Sequence, residues 1–150
     1  MSHPVASLFS QVTFNPFDNT QICVTGSGVF RLLRYSEGAL KPSTSQKLES
    51  CNFLSHAWMS EERVIAGTDT GRLMVFESGD LRGEMSVITK TSTSRDDKAP
   101  PQLPRVTAIT AYSKGFACSA GPGVVWMFEK TDDKDNYKKT KQIKVLSISV

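Results

Sequence analysis

Apolar residues occur along the chain in a pattern that is repeated three times. Each copy consists of a short apolar stretch, a turn of small residues that closes on a glycine, and a second apolar stretch. The copies cover residues 22–34, 65–77 and 117–129, and their closing glycines stand 43 and 52 residues apart. Repetition at this period predicts one structural unit that is used three times.

A further apolar segment precedes each copy across a short polar turn, at residues 8–14, 53–59 and 106–112. Several apolar stretches do not alternate with polar residues, which is typical of strands covered on both faces. No long window shows a helical period with caps. We therefore predict an all-β protein of about three β-propeller blades, with repeats at residues 8–35, 53–77 and 106–129.

Two segments lack the composition of strands. Residues 91–104 are rich in Ser, Thr, Asp and Pro, and we predict an exposed loop there. Between Lys130 and Lys144 six lysines accompany three aspartates, so residues 130–141 are predicted to form a charged loop. The alternative for this loop is a salt-sensitive contact with an acidic partner. Residues 141–150 look like the first strand of another blade.

The period and the repeated Gly-x-apolar-apolar-Phe-Glu strand resemble the WD-repeat family, which implies WD40-type blades. The agreement is partial, because the family's Trp-Asp pair is replaced by Arg34-Tyr35, Phe76-Glu77 and Phe128-Glu129. The turn aspartate of the family is matched only by Asp69. We therefore expect packing and backbone pairing, in place of the family's side-chain tetrad, to hold the blades.

Residues 1–26, 67–71 and 111–123 resemble axonemal members of the same family from motile cilia and flagella. This resemblance covers residues 1–130 and implies a non-enzymatic scaffold of the cytoplasm, cytoskeleton and ciliary axoneme. It also implies protein partners, namely inner dynein arm and doublet microtubule components, and a role in ciliary movement. Two alternatives stay open: a cytoplasmic WD-repeat adaptor in another complex, and a small all-β enzyme, which we disfavour.

Three blades do not close a ring, since propellers have about four to eight blades. We therefore expect residues 1–150 to form a partial propeller. The terminal blades of such an arc expose apolar faces and strand edges, so we expect the chain by itself to aggregate or self-associate.

Composition and charge change this picture little. The chain has 18 Lys and Arg and 15 Asp and Glu, and its net charge of +3 is too small to indicate nucleic acid or an anionic membrane. No apolar run approaches the roughly 18 residues of a membrane span. The three cysteines are widely spaced, so we predict free thiols in a reducing compartment. Together these features predict a soluble intracellular protein.

The sequence contains no convincing catalytic or ligand motif. The turn from Gly26 to Gly28 lacks the third glycine and the following helix of a nucleotide site. His56, Cys51 and Cys118 lack metal-ligand spacing, and we expect His56 to be a hydrogen-bonded structural residue. We predict no catalytic residue, no cofactor, no metal site and no small-molecule substrate.

The turns that join the first two strands of each blade are the candidate interaction surface, because function on a rigid scaffold resides mostly in its loops. These turns lie at residues 15–19, 60–62 and 113–114. The side chains we assign to the surface are Asn15, Phe17, Asp18, Glu61, Glu62 and Lys114.

Overall fold

The computed structural model describes residues 9–42, 51–87, 105–121, 123–133 and 135–145, and in these ranges it contains twelve β-strands and no helix. The strands form three four-stranded antiparallel sheets, each of which is one blade. Within every blade the spatial order of the strands follows the sequence. The prediction of an all-β fold made of propeller blades is confirmed.

The strands of the three blades have the following bounds. Blade 1 contains β1 (Phe9–Asn15), β2 (Asp18–Gly26), β3 (Val29–Ser36) and β4 (Ala39–Pro42). Blade 2 contains β5 (Phe53–Trp58), β6 (Arg63–Thr68), β7 (Arg72–Glu77) and β8 (Asp80–Ser86). Blade 3 contains β9 (Ile109–Tyr112), β10 (Gly115–Ser119), β11 (Val124–Lys130) and β12 (Tyr137–Lys144).

The glycine that closes each sequence repeat lies in the turn between the second and third strands of a blade. Gly28, Gly71 and Gly123 have φ angles of 70°, 79° and 71°. Side chains disfavour this left-handed region, so a glycine there lets the chain reverse without strain. The repeat seen in the sequence is therefore the central hairpin of each blade.

The fourth strand of each blade was missing from the sequence prediction. Residues 137–144, which we assigned in part to a charged loop and in part to the start of another blade, form β12 and pair with β11. Of the predicted loop 130–141, only residues 131–136 lie between strands, and the predicted loop 91–104 lies outside the described residues. An outer strand is exposed on its edge and carries lysines, so its composition resembles that of a loop.

Blades 1 and 2 pack face to face through an apolar layer. Phe30 of blade 1 stacks on Phe76 of blade 2, with ring centroids 3.9 Å apart, and Phe53 lies against both rings. Cys23 and Leu32 are buried in the same layer. Burial of this much aromatic surface is a large source of stability for the pair of blades.

Blades 2 and 3 pack through a second apolar layer on the opposite face of blade 2. Ile65, Leu73 and Val75 of blade 2 meet Phe116 and Phe128 of blade 3. The free Cβ position of Gly67 is filled by Val106, whose Cγ1 would lie 2.4 Å from an added Cβ. Blade 2 is therefore covered on both sides, which explains why β6 is buried at all six positions.

We call the face of a blade that is turned toward the next blade in the sequence its forward face, and the other its backward face. The first strands of the blades, β1, β5 and β9, are the inner strands, since each contacts the first strand of the neighbouring blade. The backward face of blade 1 and the forward face of blade 3 have no neighbouring blade among the described residues. The described residues thus form an arc of three blades.

Candidate interaction surface

Asn15 is not on the surface, which corrects one of the six predicted positions. The residue is 1 % exposed. Its Oδ1 accepts a hydrogen bond from the backbone N–H of Phe17 at 2.8 Å, and its Nδ2 donates to the carbonyl of Glu61 at 2.9 Å. Asn15 therefore shapes its own turn and ties it to the equivalent turn of blade 2.

Phe17 and Asp18 form the outward part of the blade 1 turn. The Phe17 side chain is 57 % exposed at the tip. The Asp18 carboxylate accepts hydrogen bonds from the hydroxyl and N–H of Thr20 and lies 3.5 Å from the Arg34 guanidinium. The bonds from Thr20, with a smaller contribution from Arg34, lower the pKa of Asp18 below its ordinary value. The turn thus displays an apolar ring beside an ionised carboxylate.

Glu61 and Glu62 are both exposed in the blade 2 turn. The Ser78 hydroxyl donates to the Glu62 carboxylate at 3.1 Å, and the Ser78 N–H donates to the Glu62 carbonyl at 2.7 Å. Ser78 belongs to the turn between β7 and β8, so the two turns of blade 2 on this side of the molecule are joined. The Glu61 and Glu62 carboxylates therefore belong to a turn that is held by hydrogen bonds to its neighbour.

Lys114 is exposed in the blade 3 turn, and its carbonyl accepts a hydrogen bond from the N–H of Lys130 at 2.9 Å. Because equivalent strands of successive blades lie side by side, the turns of all three blades emerge on the same side of the arc. We call this side the turn rim and define it by Phe17, Asp18, Glu61, Glu62 and Lys114. Apart from Asn15, the predicted residues are exposed or half-buried in these turns.

An ion-pair cluster, which the sequence analysis missed, is centred on the buried Arg63, the residue that follows Glu62 in the chain. The Arg63 guanidinium donates to Glu77 at 2.8 Å within blade 2 and to Asp135 at 2.7 Å in blade 3, and it also contacts the Tyr137 hydroxyl. Burial opposes the charge of Arg63, but these bonds outweigh it and raise the pKa of the guanidinium above its ordinary value. Sequence offers no signal that separates such a residue from an ordinary surface arginine.

A second polar cluster joins the inner strands of blades 1 and 2. His56 is 1 % exposed, and its two ring nitrogens lie 2.7 Å from the Thr13 hydroxyl and 2.8 Å from the Thr25 hydroxyl. The Gln11 amide bonds both the N–H and the carbonyl of His56, and Trp58 donates to Thr13. The expectation that His56 is a hydrogen-bonded structural residue is confirmed.

This inter-blade cluster modifies the expectation that packing and backbone pairing alone hold the blades. Burial lowers the pKa of His56 to about 4, so the ring is neutral at physiological pH. A neutral imidazole with both nitrogens satisfied costs little to bury. The cluster connects two blades through side chains.

Neither a cluster of potential metal ligands nor a membrane-spanning helix is found among the described residues. Within them, no three His, Cys, Asp or Glu side chains are grouped so that they could hold a metal ion. In the same part of the chain, no helix has the length and apolar character needed to cross a membrane.

The arc of blades has the fold of solved β-propellers. It superposes on the β-propeller domain of Myceliophteria thermophila Cps50 (Swd1) with a TM-score of 0.64, 11 % identity, and coverage of 93 % of this chain and 48 % of that one. For U3-55K the TM-score is 0.61 at 10 % identity, over 83 % of this chain and 38 % of that one. For KlHsv2 with loop 6CD replaced by a Gly-Ser linker, the TM-score is 0.55 at 14 % identity, over 93 % of this chain and 46 % of that one. The chain consists of WD-type β-propeller blades.

A curated relative makes the comparison more particular. The chain is 46 % identical, over 166 aligned positions, to cilia- and flagella-associated protein 57 of Mus musculus. The match covers 90 % of this chain and 13 % of that protein, so the chain spans about one eighth of its relative's length. No protein-family model matches the chain. The chain is therefore similar to part of a cilia- and flagella-associated protein.

Proposed function

We propose that the chain is a non-enzymatic scaffold of motile cilia, which binds axonemal proteins and supports docking of inner dynein arms on doublet microtubules. The observation that supports this proposal most directly is the 46 % identity to a cilia- and flagella-associated protein. The proposed location is the cytoskeleton of the ciliary axoneme. The proposed mechanism is display of a binding surface from rigid blades, without catalysis.

The turn rim is the proposed binding surface. Its turns are held by hydrogen bonds to neighbouring turns, through Asn15 and Glu61 between blades and through Glu62 and Ser78 within blade 2. A surface that is ordered before binding loses little conformational entropy when a partner docks. Exposed Phe17 provides an apolar anchor beside the carboxylates of the rim.

A reconstitution experiment tests this proposal. Doublet microtubules washed with high salt would be incubated with the purified chain and sedimented, and the bound chain would be measured against ionic strength. We expect saturable binding that Phe17→Ala or Glu61→Lys reduces at least about tenfold, as substitution of a central contact does in protein interfaces. Ser86→Lys is the control, because Ser86 is exposed at the far end of β8, away from the turn rim.

Two results would contradict the proposal. Unchanged binding of the Phe17→Ala and Glu61→Lys variants would show that the turn rim is not the surface used. Absence of saturable binding to doublets, with recovery of the chain in a complex of the soluble cytoplasmic fraction, would favour a cytoplasmic adaptor.

A further inference from the structure

The outer strand of blade 3 differs in charge from the outer strands of the other two blades. In β12, four of the eight residues are lysines and none is acidic. By contrast, β8 carries two carboxylates and one arginine, and β4 has four residues, of which one is a lysine and the last is Pro42. Because a proline or a few charges protect a strand edge from aggregation, the four positive charges of β12 exceed what protection requires.

Carboxylates of the described residues do not neutralise the lysines of β12. All ion pairs within that part of the chain are made by arginines. The Lys139 ammonium lies 3.5 Å from the centroid of the Trp126 ring and donates to the Gln142 amide oxygen at 2.8 Å. All four lysines are exposed, so the strand presents positive charge to solvent.

The backbone of β12 has a free edge, because the strand stands at the end of its sheet and pairs only with β11 among the described strands. The Val145 N–H donates to the Gly123 carbonyl at 2.7 Å, and Ile143 follows two residues earlier in the same register. In an antiparallel pair, alternate residues bond the neighbouring strand and the residues between them point away from it. The N–H and carbonyl groups of Gln142 and Lys144 therefore point toward the free edge.

The position of this edge in the fold separates it from the surfaces that neighbouring blades cover. Blades 2 and 3 pack through the faces of their sheets, with an apolar layer between them and with the inner strands β5 and β9 in contact. A further blade would stack in the same way on a face of blade 3. It would not pair with the outer edge of β12.

We infer that the outer edge of β12 binds an acidic, extended segment of a partner protein, which adds to blade 3 as a fifth strand. The backbone of the segment pairs with Gln142 and Lys144, and its carboxylates lie beside the lysines of β12. Strand addition of this kind takes its affinity from main-chain hydrogen bonds and its specificity from side chains. The inference concerns a surface separate from the turn rim and does not depend on the proposed function.

An acidic peptide segment fits this surface better than nucleic acid does. Proteins that bind single strands combine positive charge with exposed aromatic rings on which bases stack. The aromatic residue of β12, Tyr137, is 7 % exposed. The outward backbone groups of the edge, in contrast, match those of an extended peptide.

Fluorescence anisotropy of a labelled peptide of ten glutamates tests the inference, with a peptide of ten glutamines as the neutral counterpart. We expect the chain to bind the glutamate peptide, and its affinity to fall as salt is added. The double variant Lys141→Glu/Lys144→Glu should raise Kd about tenfold, because two attractions become repulsions. The matched control is Lys41→Glu/Arg82→Glu, which changes the net charge equally on β4 and β8 and should leave Kd within about twofold.

A proline substitution tests the backbone pairing separately from charge. Gln142→Pro removes the N–H that points to the free edge, and proline is tolerated there because that N–H does not bond β11. Gln142→Ala is the matched control, since it also removes the amide bonded to Lys139 but keeps the N–H. Gln142→Pro should raise Kd about two- to tenfold, whereas Gln142→Ala should leave it unchanged. Thermal melts of the two variants should agree, which excludes misfolding as the cause.

Four results would overturn the inference. Equal affinity for the glutamate and glutamine peptides would exclude recognition of acidic segments. Equal losses in the β12 double variant and its control would show that net charge, and not β12, governs binding. Equal affinity of Gln142→Pro and Gln142→Ala would exclude strand addition. Tighter binding of a ten-nucleotide single strand of dT than of the glutamate peptide would assign the lysines to nucleic acid.

Discussion

The inner strands of blades 1 and 2, β1 and β5, occupy equivalent places, but β1 exposes apolar side chains whereas β5 buries polar ones. In β1 the apolar side chains of Phe9, Val12 and Phe14 are between 57 % and 62 % exposed. In β5 the polar side chains of Ser55 and His56 are 1 % exposed. The difference arises because, within the part of the chain that the structure describes, blade 2 has a neighbour on each face and blade 1 has a neighbour on one face only.

This comparison shows that the burial of a propeller strand is determined by the blades beside it. The polar face of β1, with Gln11 and Thr13, is turned toward blade 2 and is used for hydrogen bonds to His56. Its apolar face, with Val12 and Phe14, is exposed. Substitutions in blade 2 should therefore destabilise the fold far more than comparable substitutions on the exposed face of β1.

The largest difference is expected for two phenylalanines. Phe76→Ala removes a ring that is 1 % exposed and stacked on Phe30, and it should lower the free energy of unfolding by about 3–5 kcal/mol. Phe9→Ala removes a ring that is 62 % exposed and should change it by less than about 0.5 kcal/mol. Urea denaturation of both variants measures the two values. Similar losses for both would contradict the account of blade 2 as the covered blade.

An intermediate effect is expected from pH, through His56 in the contact between blades 1 and 2. Above pH 6.5 the ring is neutral in both the folded and the unfolded chain, so His56 contributes no pH dependence there. Below pH 6.5 the unfolded chain takes up a proton, which the folded chain resists down to about pH 4 because the site is buried. Stability should therefore fall by about 1.4 kcal/mol per pH unit in this window, to a total of about 3 kcal/mol.

Comparison with a His56→Gln variant isolates this contribution from other titrating groups. The variant should have a flatter stability profile between pH 6.5 and 4 in urea denaturation. The contact between blades 2 and 3 has Ile109 at the position of His56, so no equivalent titration is expected there. Identical pH profiles for the wild type and the variant would show that His56 is not the responsible group.

The smallest effects are expected for two ion pairs, and the one centred on Arg63 of blade 2 should contribute more to stability than the one in blade 1. The Arg63 side chain is 9 % exposed and joins Glu77 to Asp135, whereas the Arg34 side chain is 48 % exposed beside Asp18. Arg63→Ala should cost about 2 kcal/mol, because it leaves two partly buried carboxylates without their partner. Arg34→Ala should cost less than about 0.5 kcal/mol. Thermal melts at neutral pH measure both, and equal costs would contradict the role assigned to Arg63 between blades.

The parts of the fold that sequence reasoning missed have a common property. The outer strands β8 and β12 are exposed at most positions, and β12 carries its lysines without any apolar alternation. A strand at the edge of a sheet needs backbone pairing on one side only and no apolar face, so its composition does not distinguish it from a loop. The central hairpins were predictable because their turns require glycine and their strands require apolar side chains.

The candidate surface was predictable in part for a related reason. Turn residues can be located between predicted strands, and Phe17 and Glu62 are exposed in such turns. Whether a polar turn residue points outward or inward is not encoded in the turn itself. Asn15 is buried because the blade 2 turn lies within hydrogen-bond distance, and Arg63 is buried because Asp135 of blade 3 lies above it.

The sequence by itself determined the repeat, the all-β character and the relation to ciliary WD-repeat proteins, because period, turn glycines and apolar strands are local properties of the chain. Only the tertiary structure decided which face of each described strand is covered and which polar residues connect the blades. These properties depend on contacts between residues far apart in the sequence, such as Thr13 with His56, 43 positions apart, and Arg63 with Asp135, 72 positions apart. Such contacts form only when one blade packs on the next, so no local pattern records them.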